Sequence, residues 1–174
     1  MKKLNAQELR ISEPTEKEIS AVKRNPIYLV MDRIIDTYNI GSLFRLADAV
    51  AAEKVYLCGD MEYPPSIKIH RAAVGTENWV PWKKVNSVIK LIKRLKNNGV
   101  HIIAIEQDKR ANTYKDITPS FPVAIICGNE TGGIEKQVLD LADTIVELPM
   151  YGINKSFNVW GSTAVVAYKI LESL

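Results

Sequence analysis

The stretch FPVAIICGNETGGIEKQVLDLADTIVELP, residues 121–149, decides the fold. It opens with an apolar run ending at Cys127, crosses a loop holding Gly128, Gly132 and Gly133, enters the helix-patterned IEKQVLDLA and returns to a second run, TIVELP. Apolar runs without alternation mark strands buried on both faces, and such strands belong to parallel sheets with helices on either side. The same order continues outward. NPIYLVM (25–31), KVYLCG (54–59) and VHIIAIE (100–106) read as strands. NIGSLFRLADAVAA (39–52) carries Ile40, Leu43, Phe44, Ala47 and Val50 at helical spacing. SIKIHRAAVG (66–75) is a short helix and NWVPW (78–82) an irregular aromatic segment. Asn86 or Ser87 caps a helix through Val88, Leu91, Ile92 and Leu95 that NNG stops. SEPTEKEISAVKR (12–24) reads as a short helix capped by Ser12 with Pro14 in its first turn, and NVWGSTAVVAYKILESL (158–174) as a terminal helix burying Val165, Val166, Ile170 and Leu171. The expectation is an α/β fold with a mainly parallel sheet covered by helices on both faces, one domain over residues 1–174 with 1–25 a short N-terminal extension.

Composition narrows the class. A chain of 174 residues, 47% apolar and 25% charged, fits one globular core and neither a disordered nor a fibrous protein. Its longest apolar runs fall far short of the ~20 residues of a membrane span, and MKKLNAQELR lacks the apolar segment of a secretory signal. Cys58 and Cys127 each close a strand-like run, which suits buried thiols in a reduced, cytoplasmic protein. With only His70 and His101 besides, no zinc-type ligand set assembles and no metal is expected. The net charge of +3 names no partner. Lysines do gather at Lys83 and Lys84 and from Lys90 to Lys96, as a solvated helix face or a nucleic-acid contact.

Ligands of parallel sheets bind beyond the carboxyl ends of the strands. Three loops of unusual composition stand there: DRIIDTYNIGS (32–42), GNETGG (128–133) and PMYGINKSFN (149–158). The glycine loop lacks the Gly-Lys-Ser/Thr of a triphosphate cradle and the G-x-G-x-x-G of a dinucleotide site. Its acid, Glu130, repels a triphosphate and tolerates a ligand with a cationic centre; a capped turn with Glu130 in solvent explains the loop equally well. Asn39 stands where a helix cap is expected. Arg45, between Phe44 and Leu46, reads as a buried arginine needing a carboxylate such as Glu130 or a ligand phosphate. Capping accounts for one of Ser156 and Asn158 but not both, and no nucleophile elbow surrounds Ser156.

Taken together, NIGSLFRLADA (39–49), IICGNETGGI (125–134) and LPMYGINKSFNVWGSTAVVAYKIL (148–171) resemble the three ordered motifs of the SpoU (TrmH-type) branch of the SPOUT RNA methyltransferases. The resemblance runs from about Ile27 to the C-terminus. It implies methyl transfer from S-adenosylmethionine to a ribose 2′-hydroxyl in structured RNA, a C-terminal deep trefoil knot and a homodimer. By position it implies a catalytic set of Arg45, Asn39, Glu130, Ser156 and Asn158. It implies a cofactor site of Ile105, Gly128, Leu148, Ser156 and Phe157 that works largely through backbone groups. Arginine's pKa above ~12 argues that Arg45 fixes phosphate and ribose rather than taking a proton, with Asn39, Glu130 and Ser156 holding Arg45 and the hydroxyl in place.

The third motif departs from the family's frequent Ser-Leu-Asn-Val-Ser: Phe157 replaces the leucine, a swap that still packs on adenine, and Trp160-Gly161 follows. The short segment ahead of the core resembles the tRNA-modifying members more than those with an added rRNA-binding domain. The alternatives are rRNA as substrate, a knotted RNA-binding protein without catalysis, or an unrelated nucleotide-binding α/β enzyme. With RNA as partner, the lysines near Trp79 and Trp82 and the basic helix from Lys90 to Lys96 become candidates for phosphate contacts.

Overall fold

The computed structural model describes residues 13–174. Seven strands form one sheet in the order β3-β2-β1-β6-β4-β7-β5, and every neighbouring pair is parallel. The strands are β1 (Asn25–Asp32), β2 (Ala52–Cys58), β3 (Trp82–Val85), β4 (His101–Ile105), β5 (Asn112–Thr113), β6 (Val123–Cys127) and β7 (Thr144–Glu147). The helices are α1 (Glu16–Ser20), α2 (Thr37–Ala49), α3 (Ile67–Ala73), α4 (Val88–Asn97), α5 (Lys136–Leu139) and α6 (Val159–Leu171).

Alternation along the strands builds two cores, as the sequence leads one to expect. Ile27, Leu29 and Met31 of β1 pack with Leu43 and Phe44 of α2, Ile69 of α3 and Val166 and Ile170 of α6. Val30, between them, points to the other face and joins Ile102, Ile126 and the apolar side of α4, Leu91, Ile92 and Leu95. Because the strands are parallel, the chain leaves β1, β6 and β7 at one edge of the sheet. The three loops of unusual composition therefore stand together.

Several boundaries differ from the sequence reading. Thr15 caps α1 in a reciprocal capping box with Glu18, so Pro14 precedes the helix; Ser12 lies outside the described residues. Ser87, not Asn86, caps α4 by accepting from Lys90 N. The helix after the glycine loop is a single turn, Lys136–Leu139, rather than nine residues. The aromatic segment ends in a strand: Trp82–Val85 pairs with β2 at the free edge of the sheet. Its exposed Lys83 and Lys84 hide the strand from a hydrophobicity pattern, and lysines of this kind keep an edge from pairing with other chains.

Helix α2, which carries two of the motif residues, is seated by a close backbone contact. A Cβ on Gly41 would lie 2.5 Å from Ala72 Cβ, 2.7 Å from Ala73 N and 2.7 Å from Ile69 O, all in or beside α3. Gly41→Ala must push the two helices apart. It is expected to cost about 1–3 kcal/mol in urea-induced unfolding, whereas Gly99→Ala, at a site with open space around it, lowers stability only through its positive φ of 75°.

Candidate active site

The glycine loop is shaped by a residue that the motif reading passed over. Asn129 Oδ1 accepts from Thr131 N at 2.9 Å and Gly132 N at 2.8 Å, and its Nδ2 donates to Arg33 O at 2.8 Å. An asparagine ahead of Thr-Gly-Gly is the signature of such a side-chain turn, so the signal was present. Gly128 is required by space: a Cβ there would meet Ile134 Cγ1 at 2.5 Å and Gly133 C at 2.8 Å. Gly133 has φ of 63°, and a Cβ on it would strike the Glu106 carboxylate. Glu106, also absent from the motif reading, accepts from Ile134 N at 2.7 Å and Gln107 N at 2.9 Å, tying the end of β4 to the glycine loop.

Glu130 does not face solvent unengaged. Its carboxylate accepts from Ile35 N at 2.8 Å, Asp36 N at 3.0 Å and Asn39 Nδ2 at 2.9 Å. Partial burial pushes its pKa up, but the hydrogen bonds from Ile35 N, Asn39 and Asp36 N outweigh this and hold it below the usual glutamate range. Asn39 is not the cap of α2. Asp36 is, accepting from Tyr38 N at 2.8 Å, and Asn39 lies inside the first turn, 3% exposed. Its Oδ1 accepts from Asn158 Nδ2 at 3.1 Å, while Asn158 Oδ1 caps α6 by accepting from Trp160 N at 3.0 Å. One chain of side chains, Glu130–Asn39–Asn158, thus joins all three loops.

Arg45 stands apart from it. The residue is exposed and has no ion pair or hydrogen bond among the described residues. The expectation of a buried arginine held by Glu130 is therefore corrected: residues 45, 48 and 49 of α2 face outward, and solvent takes the place of a carboxylate.

Between the loops lies a cavity of about 440 Å³. Ile105, Gly128, Leu148, Ser156 and Phe157 all line it, as do Glu130 and Asn158. Ser156 is exposed, with no hydrogen-bond partner among the described residues. Glu106 and Glu147 complete a set of three carboxylates in the wall. Among the described residues no lysine or arginine lines the cavity to compensate them, which suits a nucleoside-sized ligand with a cationic centre and disfavours a triphosphate. S-adenosylmethionine has that size and charge, so the residues present fit it. Two departures in the third motif fit each other: a Cβ on Gly161 would lie 2.7 Å from the Phe157 ring, so the glycine makes room for the aromatic side chain. Burial pushes the Cys58 and Cys127 thiols up to about 12, which leaves neither as a nucleophile at neutral pH. Among the described residues no group of side chains is arranged to hold a metal, and no helix is long and apolar enough to cross a membrane.

A family model described as the SpoU rRNA methylase family matches residues 26–168. The chain belongs to that family. Among curated SpoU-like relatives, the tRNA (guanosine(18)-2′-O)-methyltransferase of Aquifex aeolicus is 25% identical over 154 residues, covering 88% of this chain and 72% of its own length. A 23S rRNA (guanosine-2′-O-)-methyltransferase RlmB of Nitrosomonas europaea is 29% identical over 143 residues, covering 82% of this chain and 55% of the relative. The AdoMet-bound rRNA methyltransferase of Sinorhizobium meliloti superposes with a TM-score of 0.80 at 24% identity, over 95% of this chain and 60% of that one; this likeness carries the fold. The chain thus spans between about half and three quarters of the length of these proteins.

The Glu130 hub makes a pH-dependent prediction. Its folded-state pKa lies below the ordinary 4.5, so its contribution is complete above that value and fades as pH falls through the lowered one. Glu130→Gln turns an amide N–H₂ toward donors and is expected to lose about 1 kcal/mol in urea unfolding near pH 7, a figure kept small by partial exposure. The gap between variant and native protein should close in acid; a gap that persists there contradicts the ionised hub.

Proposed function

We propose that the protein methylates a ribose 2′-hydroxyl of structured RNA, with S-adenosylmethionine as donor. The observation that carries this is the acid-lined cavity at the point where Glu130, Asn39 and Asn158 lock three loops together, with an unengaged Arg45 on α2. When bound, the cofactor supplies an electrophilic methyl group on a sulfonium. The chain's own residues do the rest. Gly128 and the backbone at Ile105 and Leu148 admit the nucleoside closely, and Phe157 offers an aromatic face for adenine. Arg45, free of internal partners among the described residues, binds the target phosphate and orients the ribose hydroxyl; a guanidinium offers donors and no acceptor, which suits it to hold a phosphate rather than to take a proton. Ser156, exposed on the cavity wall, is placed to hydrogen-bond the hydroxyl. Glu130 and Asn158 act on Asn39 and the residue 35–36 backbone, keeping α2 in register with the cavity.

tRNA is the favoured substrate and rRNA the alternative; the tRNA guanosine-18 enzyme of A. aeolicus supports the first and the RlmB relatives the second. The reading includes the family's trefoil knot in the C-terminal third, a cytoplasmic location and a homodimer. Exposed Ile35, Tyr38, Tyr151, Ile153 and Phe157 near the cavity support the dimer, since large apolar side chains gathered in one region mark an interface.

Two measurements test this. Titration calorimetry with S-adenosylhomocysteine should show binding, and a flat titration refutes the reading outright. Arg45→Lys should leave that affinity unchanged and lower methyl transfer to RNA roughly 10²-fold, the scale of a lost orienting contact. Near-native transfer by the lysine variant means that the planar guanidinium is not what positions the substrate.

A further inference from the structure

We propose that the free edge of the sheet carries a second RNA contact, a ledge of unpaired cations on the face away from α2 that grips the phosphate backbone at a distance from the methylated nucleotide. The inference rests on RNA being the substrate. The basic run from Lys90 to Lys96, continuous in sequence, divides in the structure. Lys96 is committed internally, to Asp143 at 2.5 Å and Leu141 O at 2.9 Å. Lys90, Lys93 and Arg94 share one exposed side of α4 at i, i+3 and i+4, and none has an ion pair within 4.0 Å among the described residues.

These three meet cations from the sheet. The Arg94 guanidinium sits 6.0 Å from the centroid of the Tyr56 ring. Lys83 of β3 is the register partner of Tyr56, so its side chain rises on the same face; Lys54 of β2 is the partner of Tyr28 and does likewise. Tyr28 and Tyr56 lie 6.1 Å apart, giving the ledge a tyrosine floor. The Glu53 carboxylate acts on Tyr28 of this floor. Five cations without an ion pair among the described residues share one surface and repel one another, and a polyanion relieves that repulsion while releasing its own counterions.

The chemistry favours a phosphate backbone over a protein partner. Protein interfaces centre on apolar or aromatic anchors. Among the described residues no large exposed apolar side chain lies on β2, β3 or α4.

The test is the triple variant Lys83→Gln, Lys90→Gln, Arg94→Gln, compared with the native protein in binding unfractionated tRNA across a salt series. Each lost phosphate contact removes about 0.9 from the slope of log K against log salt, so the slope should fall by about 2 to 3 and the affinity at low salt roughly tenfold or more. In the methylation assay KM should rise with kcat near native, and S-adenosylhomocysteine binding should be unchanged. Lys169→Gln, at a lysine already paired with Glu172, should leave the slope as it is. Equal slopes in native and triple variant overturn the ledge, as does an equal loss in Lys169→Gln. If the triple variant fails to fold, Lys83→Gln with Lys90→Gln leaves Arg94 on Tyr56 and is judged in the same way, with a slope change of about 2 expected. Methyl transfer that persists while the slope does not move removes the ledge and keeps the enzyme. Slope loss in a protein that methylates no RNA keeps the ledge and removes the enzyme.

Discussion

The site depends on one hydrogen-bonded chain. Glu130 accepts from two backbone amides of the loop after β1 and from Asn39, and Asn39 accepts in turn from Asn158. These partners are 91 and 119 residues apart in sequence, so the chain converts three separately encoded loops into one wall. A carboxylate that receives three donors is held more firmly than a surface ion pair, since its lone pairs are satisfied in fixed directions. The parallel sheet makes the meeting geometrically easy, because its strands deliver their loops to the same edge. The side chains make it specific.

The same chain separates the charges of the site by role. Glu130 and Glu106 spend their oxygens on backbone N–H groups, and so shape the cavity and set its sign. Arg45 has no internal partner among the described residues, so its five donors stay open to solvent. Had Glu130 paired with Arg45, it would have left the residue 35–36 amides and Asn39 without their acceptor.

Most of the architecture was legible because the buried strands are uninterrupted apolar runs and the helices alternate with them. The misses have local causes. Strand β3 has two exposed lysines in four residues, and β5 is only two residues long, so neither produces a hydrophobic pattern. Asn39 reads as a cap because it is polar and stands just ahead of the apolar periodicity of α2; it is polar because it bonds Glu130 and Asn158, and the true cap, Asp36, stands three residues earlier. Arg45 has apolar sequence neighbours, yet a period of 3.6 residues turns it outward. All five residues that the motifs imply for the cofactor line one cavity, whereas Arg45 stands outside it. Which residue touches which was invisible, since pairings over 91 residues leave no local trace.

The link between Asn158 and Asn39 is neutral, 3.1 Å long and only partly buried. Residues 151–158 ahead of α6 are exposed throughout, and besides that link the structure ties this segment to the rest through Gln107 and Lys155 O. A neutral hydrogen bond of this kind contributes on the order of 1 kcal/mol. The third wall of the cavity is therefore the one with the lowest energy of opening, while the glycine loop and the end of β4 are fastened by carboxylates. This unequal fastening leaves residues 151–158 the least anchored side of the cavity.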